Sequence, residues 1–129
     1  MLFASECEMY KLHIKRIYEA PETCDGYRIL IDRLWPRGIR KDEARLDGWF
    51  KSIAPTTLIR KAFNHETANM ESFRKRYIEE LESNPEAAAY IVVLADKLKH
   101  GNVTLVYGAK DEKYNHAVVL KAWLEEKLR

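Results

Sequence analysis

The sequence predicts a single α/β domain in which a small, mainly parallel sheet of about three strands is flanked by helices. Two short apolar runs, Tyr27–Ile31 and Val103–Tyr107, are typical of buried strands. Several segments with helical periodicity separate them, as the crossover between two parallel strands requires. Each run also ends abruptly in a loop rich in charged residues, and ligands of open parallel sheets bind at the carboxyl ends of the strands.

The N-terminal part of the chain predicts an extension followed by a first strand. Residues 1–10 carry little pattern and are predicted to be a loose extension, which leaves residues 11–129 as the single α/β domain. Apolar and polar side chains alternate from Leu12 to Tyr18, as in a strand with one partly solvated face. The direction of this strand stays open, because the turn-rich connector around Asp25-Gly26 is too short for an ordinary parallel crossover.

Helical spacing of apolar residues marks three segments after the second strand. The first covers about residues 46–53, where Leu46, Trp49, Phe50 and Ile53 follow i, i+3, i+4, i+7 spacing. Thr56 or Thr57 can cap a short second helix that runs through Phe63. The third helix carries an apolar stripe from Met70 to Leu81, with charged residues on its other face.

The apolar run Tyr90–Leu94 is ambiguous, because its β-branched residues favour a strand. Asn84 can be an N-cap, Pro85 suits the first helical position, and Gly101 can close the far end. These three signals predict a helix. A last helix is predicted from about Asn115 towards the C-terminus.

The composition indicates a soluble globular protein. Hydrophobic residues make up 47% of the 129 residues, and 22 basic side chains oppose 20 acidic ones, so the net charge of +2 argues against a nucleic-acid partner. Cys7 and Cys24 form neither a disulfide framework nor a zinc motif. The N-terminus lacks the pattern of a signal peptide, and no apolar run approaches the roughly 20 residues that span a bilayer. We therefore expect a cytoplasmic protein with no membrane association; the sequence indicates no oligomeric state.

Two charged loops follow the two apolar strands. The first is Asp32-Arg33-Leu34-Trp35-Pro36-Arg37-Gly38, and the second covers residues 108–116. If the strands are parallel, both loops lie at one edge of the sheet and can form one cleft. The predicted site residues are Asp32, Arg33, Trp35, Arg37, Lys110, Asp111, Asn115 and His116.

The residue types in these loops suit a small anionic ligand. Asp32 and His116 are the candidate catalytic residues, because a carboxylate and an imidazole can act as general acid or base. Guanidinium groups bind carboxylate or phosphate, so Arg33 and Arg37 are predicted to bind the ligand, together with Lys110 and Asp111. Trp35 offers a face for stacking. Asn115 precedes the first turn of the last helix, whose backbone N–H groups favour an anion.

Structural readings of the same residues stay open. Asp32 and Arg33 can form an ion pair that organises the loop, and Trp35 can pack in the core. Lys110 and Asp111 can be solvated loop charges, and Asn115 or Asp111 can cap the last helix. Arg60 and His65 can reach the same edge, but a surface role is favoured because nothing local requires them there.

The sequence predicts no cofactor of its own. The histidines have no metal-ligand spacing, and the chain has no P-loop and no nucleophile elbow. Magnesium is expected only with a phosphate-bearing ligand, held between Asp32 and Asp111.

Three functions fit these features. The best supported is binding, with turnover left open, of a small phosphate- or carboxylate-bearing molecule. A non-catalytic ligand-sensing or protein-interaction module would use the same cleft. A nucleic-acid binder is the weakest of the three, since it needs a basic face around Arg37, Arg40, Lys41 and Arg45.

The run from Asp25 to Gly38 resembles the signature of the domain-of-unknown-function 488 family, in its YeaO-like branch. The likeness continues through residues 49–55 and 58–65 and ends with residues 103–111 and 115–117. It implies a small α/β fold, and the name of the family states no activity. Broader relatives carry a cysteine at the end of the third strand and a Cys-His-Arg run at the last helix, where this chain has Tyr107 and Asn115-His116-Ala117. The resemblance therefore implies no thiol chemistry here, and it carries over only His116, Asp32-Arg33 and Pro36.

Overall fold

The computed structural model of the chain describes residues 10–63 and 66–128. Its strands are β1 (Leu12–Arg16), β2 (Tyr27–Leu30), β3 (Gly48–Trp49) and β4 (Val103–Tyr107). The α-helices of the described part are α1 (Lys41–Ala44), α2 (Thr57–Phe63), α3 (Met70–Ser83), α4 (Pro85–Leu98) and α5 (His116–Lys127), with short 3-10 turns at Thr23–Asp25, Lys51–Ile53 and Thr67–Asn69. The four strands form one parallel sheet in the order β1-β4-β2-β3. The predicted α/β class with a small parallel sheet is confirmed.

The first strand runs parallel to the others, which settles the direction that the sequence left open. Leu12 of β1 lies opposite Val103 of β4, and the register continues to Arg16 opposite Tyr107. β1 and β2 are not neighbours, since β4 lies between them, and the chain connects them without a crossover helix. The connector returns over one face of the sheet in extended and turn conformations. Ten residues can span up to about 33 Å, about twice the ~17 Å length of a five-residue strand.

The two faces of the sheet are covered differently. Alternate residues of β2 and β4, such as Ile29 and Leu105, join the main core under the helices. The residues between them, such as Leu30 and Val106, join a smaller core with Ala44 of α1, covered by the loops on the other face. Both strands are therefore buried on both sides, as their continuous apolar runs predict.

The helical spacing of residues 46–53 does not produce a helix, so that prediction is wrong. Gly48–Trp49 instead adds a short fourth strand beside β2, with Ile29 opposite Gly48 and Leu30 opposite Trp49. The Phe50 N–H then donates to the Leu30 carbonyl at 2.9 Å, and the 3-10 turn follows. Pairing with a distant strand satisfies the backbone here, which local apolar spacing cannot reveal.

The remaining helix predictions are confirmed, and two of the helices begin at the predicted N-caps. Asn84 accepts from the Glu86 N–H at 2.9 Å, and Pro85 occupies the first position of α4. Asn115 accepts from the Val118 N–H at 3.0 Å at the start of α5. Nine of the ten residues of the predicted N-terminal extension lie outside the described residues. No helix in the described ranges is long and apolar enough to cross a membrane.

Candidate functional site

A cavity of about 140 Å³ lies at the carboxyl edge of the sheet, where β2 and β4 end. Its polar wall consists of Asp32, Arg33, Arg60, Asn115 and His116. Its apolar wall consists of Leu34, Ala54, Pro55, Phe63, Phe73 and Ala109. Four of the eight predicted site residues therefore line the same cavity. The parallel strands bring them together, because the loop after β2 and the loop after β4 leave the sheet at the same edge.

Asp32 ties the elements around the cavity to one another. Its Oδ2 accepts a hydrogen bond from the Gly108 N–H at 2.9 Å, which joins the ends of β2 and β4. Its backbone carbonyl accepts from Nε1 of Trp49 at 2.6 Å, which adds β3. A Cβ at position 108 would lie 2.9 Å from Oδ2, so a larger residue there would have to displace the Asp32 carboxylate or the loop.

His116 connects the start of α5 to the same carboxylate. Its Nε2 lies 2.9 Å from Oδ1 of Asp32 and 3.1 Å from the carbonyl oxygen of Ile31. Only the carbonyl lies in a direction suited to a hydrogen bond, and the buried Oδ1 receives none of good geometry from the described residues. A carbonyl can only accept, so Nε2 carries the proton. The contact with Asp32 is therefore electrostatic rather than directional.

Arg33 is held by backbone carbonyls and not by a carboxylate. Nε donates to Pro55 at 3.2 Å, and Nη2 donates to Ala54 at 2.7 Å. Within residues 10–63 and 66–128, Nη1 has no hydrogen bond and no acid forms an ion pair with the guanidinium. The structural reading of Asp32 and Arg33 as an ion pair is thus not realised. Two carbonyls fix the position of the side chain while its positive charge stays without a carboxylate.

Arg60 of α2 brings a second guanidinium to the cavity. It is half-buried and lies one turn before Phe63, so both side chains share one face of the helix. The described part of the chain offers its guanidinium neither an ion pair nor a hydrogen bond. The sequence analysis favoured a surface role for Arg60, whereas the structure places it on the cavity wall. Its i, i+3 spacing to Phe63 is the signal in the sequence that indicates this position. His65 lies outside the described residues.

The other four predicted site residues do not line the cavity. Trp35 is a packing residue, because its Nε1 donates to the Ile39 carbonyl at 2.7 Å and its ring meets Trp49 edge-on at 5.5 Å. Arg37 and Lys110 are exposed on the surface. Asp111 is also exposed, and its Oδ1 accepts from the backbone N–H groups of residues 113 and 114. The joint binding of magnesium by Asp32 and Asp111 stays a prediction, with only the first of them on the cavity wall.

Asn115 lines the cavity, but its side chain is used in the cap of α5. Its Oδ1 accepts from Val118, and its Nδ2 donates to the Asp111 carbonyl at 2.7 Å. Tyr107, the last residue of β4, is buried near it in the main core. Burial raises the pKa of the Tyr107 hydroxyl, and nearby acidic side chains raise it further. Both residues thus serve the structure of this edge.

Comparison with known proteins identifies the family. A family model described as "Inactive DUF488-N3 subclade" matches residues 11–129. The chain belongs to this family. It is 46% identical over 113 residues to "Uncharacterized protein YeaO" of Escherichia coli, covering 88% of this chain and 96% of that protein. It is 34% identical over 110 residues to "Uncharacterized protein Rv3073c" of Mycobacterium tuberculosis, covering 85% and 90%. No solved structure matches the chain significantly.

The family assignment confirms the resemblance found in the loop after β2. The description of the family as inactive agrees with the two replaced cysteine positions, since Tyr107 is core and Asn115 is a helix cap. No cysteine lines the cavity among the described residues, and Cys24 is exposed elsewhere. The site thus offers guanidiniums, one carboxylate and one imidazole.

Proposed function

We propose that this domain binds a small anionic molecule in the cavity without turning it over. The observation that carries the proposal is that Arg33 and Arg60 both line the cavity, while no described carboxylate pairs with either. Guanidinium groups present paired N–H donors that match carboxylate and phosphate oxygens. An anion would therefore satisfy donors for which the described residues supply no charged acceptor.

The arrangement of Asp32 and His116 favours binding over turnover. Oδ2 of Asp32 accepts from the Gly108 N–H, and Nε2 of His116 faces the Ile31 carbonyl and Oδ1 of Asp32. These contacts make both groups parts of the scaffold around the cavity. The description of the family as inactive points the same way.

Calorimetric titration with acetate, benzoate and inorganic phosphate at constant ionic strength tests the proposal. We expect at least one of these anions to bind, and Arg60→Gln to weaken its binding more than tenfold, about 1.4 kcal/mol, because a charge-assisted pair of hydrogen bonds is lost. Arg37→Gln is the matched control, since it removes the same charge from an exposed position outside the cavity. Equal losses in both variants, or no binding by any of the three anions, would overturn the proposal.

Acid–base catalysis is the second candidate, and the 2.9 Å contact between Asp32 and His116 favours it. Each anion that binds is incubated with the protein and followed by mass spectrometry. We expect the ligand to stay unchanged, and His116→Gln to retain the ability to bind it. Formation of a product that is lost in His116→Gln, with affinity preserved, would replace the binding function by an enzymatic one.

A further inference from the structure

We infer that the anion is a monocarboxylate with a compact apolar body about the size of one six-membered ring. The inference rests on the proposed function and adds the chemical class of the ligand. Three properties of the cavity carry it: the charge of its wall, the nature of its apolar side and its volume.

The charge of the cavity suits a monoanion. Arg33 and Arg60 contribute two positive charges and Asp32 one negative charge, so these three side chains give the wall one net positive charge. A carboxylate balances that charge. A phosphate dianion would exceed it and would bring more negative charge close to Asp32, which the interactions with Gly108 and His116 hold in place.

The apolar side of the cavity suits a flat hydrocarbon body. Phe63 and Phe73 both line it, and their rings stack with centroids 4.6 Å apart and planes 24° from parallel. Pro55 and Leu34 complete this side, and the Leu34 side chain is 64% exposed, so it is accessible to a ligand. A planar ring gains both burial and aromatic contact there. A hydrated inorganic anion gains neither.

The volume limits the body to about one ring. The cavity measures about 140 Å³, and an apolar cavity of about 150 Å³ holds a benzene molecule. Pockets for larger ligands such as nucleotides measure roughly 300–1,000 Å³. Benzoate is the simplest probe that combines the one negative charge, the flat ring and this size.

Calorimetric titration at constant ionic strength compares benzoate with acetate, benzamide, inorganic phosphate and adenosine monophosphate. We expect benzoate to bind at least tenfold more tightly than each of the other four. Acetate lacks the ring, benzamide lacks the charge, phosphate lacks the apolar body, and the nucleotide exceeds the cavity. Each comparison therefore removes one of the properties on which the inference rests.

Leu34→Ala tests whether the apolar body lies against the cavity wall. We expect benzoate to bind about fourfold more weakly or worse, since each buried methylene contributes about 0.8 kcal/mol, and acetate, which lacks the ring, to lose less affinity than benzoate. Leu58→Ala is the matched control, because Leu58 is 76% exposed and does not line the cavity. Neither leucine is buried, so both variants are expected to fold.

The outcomes separate this inference from the proposed function. If phosphate or acetate binds as tightly as benzoate and Arg60→Gln still weakens it, the anion site stands and the ligand class is wrong. If benzoate binds but Leu34→Ala and Leu58→Ala affect it equally, the ring does not occupy this cavity and the inference fails. If no anion binds, the proposed function fails with it.

Discussion

Two groups of basic side chains lie near this sheet, and they differ in what neutralises them. On the loop-covered face, Asp25 lies between Lys15 at 3.1 Å and Arg28 at 2.6 Å, and all three side chains are nearly buried. At the carboxyl edge, Arg33 and Arg60 line a cavity and pair with no described carboxylate. The two groups therefore differ in whether the described residues supply a carboxylate partner, and not in charge alone.

The buried cluster has the features of a structural element. Arg28 also donates to the carbonyls of Ala44 at 2.8 Å and Arg45 at 3.3 Å, so it fastens α1 to the sheet. Burial raises the pKa of Asp25, but the Glu22 N–H, Lys15 and Arg28 outweigh it, so the pKa lies below its ordinary value. The carboxylate is therefore charged in the folded protein and fully engaged.

The largest expected effect comes from breaking this cluster. Arg28→Met should lower the free energy of unfolding by about 3 kcal/mol or more, because a buried carboxylate loses one of its two cations. Arg40→Met is the control, since its ion pair with Asp42 is exposed and should contribute no more than about 0.5 kcal/mol. Urea unfolding at neutral pH measures both. A similar small loss in the two variants would remove the distinction between the cluster and ordinary surface charges.

The same experiment at low pH tests the role of Asp25. The pKa of Asp25 is lower in the folded protein than in the unfolded chain. Its contribution to the free energy of unfolding is therefore fully present above about pH 4, where the carboxyl of the unfolded chain is ionised. This contribution is lost as the pH falls through the lower pKa of the folded protein. The difference in the free energy of unfolding between wild type and Arg28→Met should therefore become smaller below about pH 4. If this difference stays constant with pH, the loss comes from the hydrogen bonds that Arg28 donates to the two carbonyls.

A smaller effect is expected at the edge of the cavity. Gly108→Ala places a Cβ 2.9 Å from Oδ2 of Asp32 and 3.5 Å from Pro36, so it should lower the free energy of unfolding by about 1–3 kcal/mol. Gly101→Ala is the control, because a Cβ there meets nothing within 4 Å, and it should be neutral or stabilising by up to about 1 kcal/mol. Thermal or urea unfolding measures the stability of both variants. Equal behaviour would mean that the Asp32 carboxylate adapts freely to a side chain at position 108, and that its hydrogen bond to the residue 108 N–H does not fix its position.

The sequence predicted the part of the site that depends on strand direction. Apolar runs and caps located β2, β4 and the start of α5, and the rule for parallel strands then brought Asp32, Arg33 and His116 together. The same reasoning placed Arg37 beside them, although it is four residues further along the loop and lies exposed outside the cavity. A loop's path after its first residues depends on its contacts. Here Trp35 turns inward to bond with Ile39.

The rest of the site comes from tertiary contacts that no local pattern encodes. Phe73 belongs to the apolar stripe of α3, and nothing in that stripe says that one member faces a cavity. Arg60 reaches the site only because α2 packs beside α3. Trp49 has the spacing of a helix residue, yet pairing with Leu30 and a bond to the Asp32 carbonyl make it part of a strand. Each of these depends on elements distant in the chain.

The smallest expected effect on stability belongs to Arg60, and it is the most direct test of the contrast between the two basic groups. Arg60→Met keeps an apolar stem beside Phe63 but removes a positive charge near Arg33. Because no described acid depends on Arg60, the free energy of unfolding should change by no more than about 0.5 kcal/mol. Urea unfolding without ligand measures it. When urea unfolding is repeated with saturating benzoate, the free energy of unfolding of the wild type should rise, and that of the variant should rise much less. A ligand stabilises a protein when it binds the native state. A loss above about 1 kcal/mol without ligand would give Arg60 a structural role like that of Arg28, and Arg33 alone would then remain as a cation on the cavity wall with no described carboxylate partner.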